Sequence, residues 1–381
     1  MAVRARSSGV LGLYLHIPFC AAICHYCNFN RGLLDEAVKA RYLQALQRHV
    51  RREADGAAVD TIFFGGGTPS LLRPDEVASV LATCRASFDV SPGAEITLEA
   101  NPETITPESL AGYRAAGITR LSFGVQSFRD DELQRLGRVH DAARARQALG
   151  DARRAGFDDI SLDLMMWLPG QSVVQWLESV SALVDAAPDH ASLYLLELYP
   201  NAPLQELMAR QQWSRTADDD AADMYEEGLR LLEDAGWQQY EISNVSRPGR
   251  QCRHNLKYWQ DGSWLAFGVG AHGRRHGQRF RHVASIDEYV TRVDAGADPV
   301  AERTCLSAEE GLAEALFMGL RLSQGVSLSR LSDVYGIDVL ARYGPALEPA
   351  REAGLLVVDG DTMRLTRRGL LLSSEVMQVF V

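Results

Sequence analysis

The chain has 381 residues, enough to bury a large α/β core and a smaller second unit, and its formal net charge is −11. That acidity, without a basic stripe or an arginine–aromatic cluster, argues against a nucleic-acid surface. No apolar run is long enough to span a bilayer, and three of the six cysteines share one short loop while Cys84, Cys252 and Cys305 are scattered, so a disulfide framework is excluded and a soluble protein of the reducing cytoplasm is expected.

The basic stretch 1–9 is followed by an apolar run too short for a signal peptide. That run, residues 13–17, is strand-like and leads into Cys20, Cys24 and Cys27, spaced Cys-x3-Cys-x2-Cys. Three thiolates at this spacing can bind three irons of a [4Fe-4S] cube and leave the fourth open to an exchangeable ligand. Two other chemistries use the same residues: zinc with His16 or His25 as fourth ligand, and a disulfide with one spare thiol.

Five further β-rich runs follow, at 61–64, 95–99, 120–124, 159–164 and 191–198, separated by amphipathic stretches such as 36–53 and 74–87. This alternation predicts parallel strands joined by crossover helices. Six units are too few for a closed eight-stranded barrel, so the expected fold is α/β, a partial, open (β/α)6 barrel. Each run ends in a group with chemical capacity: the cysteines, then Gly65-Gly66-Gly67-Thr68-Pro69, Glu99, Gln126, Asp163 and Glu197. Barrels build their sites at C-terminal strand ends, so the recurrence points to one site. The three glycines would let backbone approach a ligand, although a plain tight turn uses them equally. For Glu99 and Asp163 the plainer role is a hydrogen bond inside the barrel, and for Arg138 a surface helix end.

From about residue 202 the pattern turns helical, with Asp218, Asp219 and Asp220 as a solvated helix start. A loop at 244–264 and the run from Leu265 to His272 follow. A second unit begins near 301, with helical runs at 306–322 and 327–334. Apolar alternations then flank Asp359-Gly360, a hairpin signal. This tail is expected to be a winged-helix-like unit packed against the barrel, because its mixed charges give no basic face. The implied division is 1–200, 201–300 and 301–381.

Tyr14-Leu-His16-Ile-Pro18-Phe-Cys20, continued by Cys24-His-Tyr26-Cys27-Asn-Phe29, resembles the cluster loop of the radical S-adenosylmethionine superfamily, in the branch that contains the oxygen-independent coproporphyrinogen oxidases. The resemblance implies that Cys20, Cys24 and Cys27 hold a [4Fe-4S] cluster and that S-adenosylmethionine lies along Tyr14, Gly65, Gly66, Gly67, Thr68, Glu99, Gln126, Arg138 and Asp163. It places the amino group on the glycine-turn backbone, makes Glu99 and Gln126 further contacts, sets Arg138 on the methionine carboxylate and has Asp163 accept from a ribose hydroxyl. Two positions depart from the family. Trp167 precedes Leu168-Pro169-Gly170 where glycine is usual, which is expected to narrow the cavity mouth, and Asn28 replaces an aspartate, removing a charge near the cluster.

Within the branch, Phe29 stands where the oxidases carry a further cysteine. His254-Asn255-Leu-Lys-Tyr258-Trp259, followed by Gly268-Val-Gly270-Ala-His272, resembles the signature of the heme chaperones called HemW, and the similarity runs from Tyr14 to Gly369. It implies a cytoplasmic protein that binds heme through His254, with Cys252 as second choice, and passes it to apoproteins, with an electron donor for the cluster. Transient membrane association and a homodimer are compatible with that picture. Without the resemblance, His254 in an aromatic loop is more simply structural. The alternative is a radical enzyme acting on a porphyrinogen. A redox-sensing winged-helix regulator is a third class, disfavoured by the acidity.

Overall fold

The computed structural model describes residues 10–200 and 202–381, so the basic stretch 1–9 lies outside the described residues. The six expected strands form at the expected places: β1 (Leu11–Ile17), β2 (Ala58–Gly66), β3 (Asp89–Ala100), β4 (Arg120–Gln126), β5 (Ile160–Met166) and β6 (His190–Leu195). They pair in parallel in chain order. The crossovers are α1 (Glu36–Arg52), α2 (Pro74–Ser87), α3 (Pro107–Ala116), α4 (Asp130–Arg135), α5 (Ala142–Arg154) and α6 (Val173–Ala186). Local signals start them. Asp35 accepts from the amides of Ala37 and Val38 ahead of α1, and Ser172 and Gln175 cap α6 reciprocally.

Along the strands, alternate side chains divide between two environments. Leu13, Leu15, Ile62, Phe64, Leu98, Leu121, Phe123 and Leu162 join the core formed with the helices. The opposite faces carry Tyr14, Thr61, Glu95, Thr97, Glu99, Ser122, Asp163 and Ser192, so the barrel interior is polar rather than filled with aliphatic layers.

After helices α7 (Pro203–Gln211) and α8 (Asp218–Asp234) the sheet continues with β7 (Gln238–Glu241) and β8 (Asn244–Ser246). Helix α9 (Arg253–Trp259) comes next, then β9 (Trp264–Phe267), β10 (His272–Arg275), β11 (Gln278–His282), helix α10 (Ile286–Asp294) and β12 (Val300–Cys305). The result is an open, mixed sheet of twelve strands in the order β12-β11-β10-β9-β1-β2-β3-β4-β5-β6-β8-β7. Asp218, Asp219 and Asp220 occupy the first turn of α8, where the helix dipole favours them. Helix α9 closes the N-terminal end of the barrel, because the Glu95 carboxylate accepts the amides of Arg253 and His254 at 2.8 and 2.9 Å.

The C-terminal unit has its own core, built around Leu312, Leu316, Leu331, Leu347, Met363 and Leu365. It comprises α11 (Ala308–Gly319), β13 (Val326–Ser327), α12 (Leu328–Tyr335), α13 (Val339–Glu352), β14 (Leu356–Asp359) and β15 (Thr362–Leu365), then short terminal helices. The hairpin forms, but Asp359 pairs with Thr362, so its loop is Gly360-Asp361. The unit docks on the barrel: Arg321 reaches Glu241 at 3.0 Å and the Tyr335 hydroxyl donates to Asp261 at 2.9 Å.

Candidate cluster and cofactor site

At the C-terminal ends of the six parallel strands lies a cavity of about 410 Å³. Cys20, Cys24, Cys27, Gly66, Gly67, Thr68, Glu99, Gln126, Arg138, Asp163 and Glu197 all line it. Residues spread over most of the barrel sequence therefore meet at one place.

The cysteine loop is pinned from both sides by backbone. Gly67 and Thr68 donate to the carbonyls of Ile17 and Phe19, each at 2.8 Å, and His25 donates to Leu136 at 3.0 Å. The contact is close enough that a Cβ on Gly67 would come within 2.8 Å of the Phe19 carbonyl and 3.0 Å of the Cys20 sulfur. Gly66, at φ 119°, adopts a backbone conformation that glycine alone takes easily. The Cys24 sulfur accepts from Arg138 Nη1 at 3.2 Å, and Arg31 Nη2 donates to the Cys27 carbonyl at 2.7 Å. Burial raises the Cys20 thiol above its ordinary range, against a bond from Thr68.

Two alternatives for these cysteines lose support. All three are free thiols, so no disulfide joins them. His16 is spent on the Tyr14 hydroxyl at 3.1 Å and the Asn30 carbonyl at 2.8 Å, and His25 Nδ1 on the Arg135 carbonyl at 2.9 Å. What remains is three soft sulfurs lining one cavity with a guanidinium beside one of them, the ligand chemistry that iron–sulfur clusters select, although no group of three such side chains among the described residues stands together as a metal site.

The floor beside the cysteines is acidic. Glu99 Oε2 accepts the Gly66 amide at 3.0 Å, yet burial, reinforced by the nearby Asp163, pushes its carboxyl up to about 8. Burial pushes Asp163 up to about 6, held back by hydrogen bonds from Ser192 and Ser122. Paired carboxylates beside open glycine backbone suit an ammonium group and ribose hydroxyls. Gln126 sits at the edge with φ 70°, a strained conformation for a side chain of its kind.

Arg138, expected on a ligand carboxylate, lines the cavity, where Nη2 donates to Asn101 Oδ1 and the Gly124 carbonyl, both at 2.7 Å, while Nη1 holds the Cys24 sulfur. Only its buried Nε has no partner. Tyr14 and Gly65 lie behind the floor rather than on it: Tyr14 bonds His16 and stacks on Phe63, and Gly65 faces Tyr14, Phe63 and Glu99. Trp167 does not narrow the mouth. Its indole turns away to donate to the Thr216 carbonyl at 2.8 Å, with Arg215 over its ring, and its φ of 64° accounts for glycine being usual there. His254 lies at the opposite end of the barrel, bonded through Nδ1 to Thr61 at 2.8 Å and through Nε2 to Tyr258 at 2.9 Å. Thr61 and Gly66 are five residues apart on β2, roughly 16 Å at strand rise. Burial lowers the His254 imidazole to about 3, so it is neutral, with both nitrogens engaged. Cys252 is likewise buried, within 3.5 Å of Glu95.

Sequence reasoning missed Asn101, Ser122, Tyr26 and Arg31, which also line the cavity. Asn101 was within reach, since it stands two positions from Glu99.

A partial parallel barrel with its cysteine loop after the first strand, and a carboxylate floor at the strand ends, defines the class as radical S-adenosylmethionine proteins. Residues 14–183 match the family model described as Radical SAM superfamily, and residues 306–372 match that described as HemN C-terminal domain. The chain is 34% identical over 375 residues to the heme chaperone HemW of Bacillus subtilis, covering 97% of this chain and 98% of that one. It is 38% identical over 376 residues to the heme chaperone HemW of Mycobacterium tuberculosis, covering 97% and 94%. The chain belongs to the HemW family. Its fold is also that of the coproporphyrinogen III oxidase HemN from Escherichia coli, with a TM-score of 0.87 over 99% of this chain and 91% of that one, at 23% identity. Superfamily membership implies a [4Fe-4S] cluster and S-adenosylmethionine.

Proposed function

We propose that this protein is a heme carrier that binds heme in the cytoplasm and delivers it to apoproteins. The observation that carries this is similarity across nearly the whole chain to proteins named heme chaperones, at 34% and 38% identity. Phe29, standing where the oxidases of the branch carry a further cysteine, supports it. Cys20, Cys24 and Cys27 would each hold one iron of the cluster, with an electron donor to reduce it. The glycine turn, Glu99, Gln126 and Asp163 would receive S-adenosylmethionine, and both groups would support assembly or transfer. As an iron ligand, His254 would first have to leave Thr61 and Tyr258.

The test is anaerobic incubation of the cluster-loaded protein with reductant, S-adenosylmethionine and coproporphyrinogen III. A carrier returns the porphyrinogen unchanged while binding added heme stoichiometrically. Recovery of the doubly decarboxylated porphyrinogen overturns the proposal.

A further inference from the structure

A heme carrier needs a face for the macrocycle, and the His254 loop presents none, since the imidazole is fully buried and bonded at both nitrogens. Exposed apolar side chains gather elsewhere. Phe29 is 68% exposed, Leu195 45% and Tyr194 41%, and all three line the cluster cavity. Large apolar groups left open to water together mark a place where something binds.

The cavity therefore has two chemistries at two depths. Its floor is polar, with Glu99, Asp163 and the glycine-turn backbone, and is suited to S-adenosylmethionine. Its mouth is apolar and aromatic at Phe29, Tyr194 and Leu195, with the Glu197 carboxylate, bonded to the Tyr199 hydroxyl, further along the lining. Behind the mouth lies a small apolar cluster that includes Leu136, Met165 and Leu196, with Tyr26 packed against it, separate from the main core. Arg31 also lines the cavity, its Nη2 donating to the Cys27 carbonyl at 2.7 Å. A half-buried guanidinium in a cavity with an aromatic rim matches a flat apolar ring system that carries carboxylates at its edge.

We infer that heme lies across the mouth of the cluster cavity, its ring against Phe29, Tyr194 and Leu195 and a propionate carboxylate on Arg31. The inference rests on the heme-carrier proposal and gives it a location. An open rim leaves one side of the macrocycle in water, which suits a cargo that must be handed on.

The experiment is anaerobic titration of the cluster-loaded protein with heme and, separately, with iron-free protoporphyrin IX, followed by Soret absorbance. The variants are Phe29→Asp, Leu195→Asp, Arg31→Gln and His254→Gln, the last chosen because glutamine keeps polar groups for Thr61 and Tyr258. Each aspartate should weaken both tetrapyrroles by about tenfold, since it removes apolar contact and sets a charge at the ring. Arg31→Gln should weaken them by about threefold through the lost carboxylate pair, and His254→Gln should stay within about twofold of wild type. Leu195 lies on β6 and not in the cysteine loop itself, so its variant tests the rim even if Phe29→Asp disturbs the cluster. Wild-type affinity in both aspartate variants, with loss in His254→Gln, overturns the inference. A wild-type protein that binds no heme overturns the carrier proposal itself, a result distinct from binding that the rim variants leave untouched.

Discussion

Glu99 and Asp163 share the cavity floor, and their protons set the pH behaviour of the site. With Glu99 raised to about 8 and Asp163 to about 6, a cationic ligand that pairs with both must displace the Glu99 proton at neutral pH. Affinity for S-adenosylmethionine is therefore expected to rise from pH 6 to pH 8, about the two values of these carboxyls, and to level off above. The same shift acts on stability in the ligand-free protein. Because the folded value lies above the ordinary 4.5, Glu99 contributes stability that is fully present below 4.5 and is lost as pH rises through about 8. Glu99→Gln should flatten both trends, which calorimetric titration and denaturant unfolding across this range would reveal. A wild-type affinity indifferent to pH would contradict the assignment. Arg138 supplies a second expectation. Its N–H bond to the Cys24 sulfur stabilises added negative charge on a cluster, so Arg138→Met should lower the midpoint potential. Potentiometry followed by electron paramagnetic resonance measures this, and an unchanged potential would remove Arg138 from the cluster's surroundings. The cysteines and the strand-end acids were legible in the sequence because spacing and the period of two place them. The partners of Arg138 and the burial of His254 were not, since both depend on contacts between elements far apart in the chain.

At the scale of elements, the strands were legible because polar and apolar residues alternate along them, an unusual pattern for parallel strands and one that here marks a polar lumen. Helix α13 was not. Pro345 and Pro349 lie inside it, and proline opposes a helix interior by about 3 kcal/mol, yet Tyr343 and Leu347 are buried in the C-terminal core and hold the segment helical. Helix α9 was read as a heme-binding loop, and its position shows the part it plays in closing the barrel. Glu95 accepts two amides at its start, so Glu95→Ala would leave one buried and one part-buried donor without an acceptor. The expected cost is about 3 kcal/mol of barrel stability by urea unfolding. A loss under about 1 kcal/mol would mean that α9 is held by its side chains instead.

For the whole molecule, the winged tail is joined to the barrel by polar contacts at defined points. Glu241 is fully buried and accepts from the Ser243 amide and from Asn244 as well as from Arg321. Arg321→Ala would leave that carboxylate without its cation, at a cost of about 3 kcal/mol. Unfolding of the barrel and of the C-terminal unit should then separate into two calorimetric transitions, whereas one unaltered transition would show that the junction rests on other contacts. No helix among the described residues is long and apolar enough to cross a membrane. The tail's packing on the barrel was legible from its mixed charge, but the Arg321–Glu241 junction joins residues far apart in the chain and left no local signal.

Transfer of cargo bears on the proposed function more directly than any binding constant. The cluster-loaded protein, charged with one equivalent of heme, would be mixed anaerobically with excess apomyoglobin and followed by Soret absorbance. A heme carrier should give up its heme to the acceptor and regain the spectrum of the heme-free, cluster-bearing protein. Failure to take up heme, or heme retained with no passage to the acceptor, would contradict a carrier function.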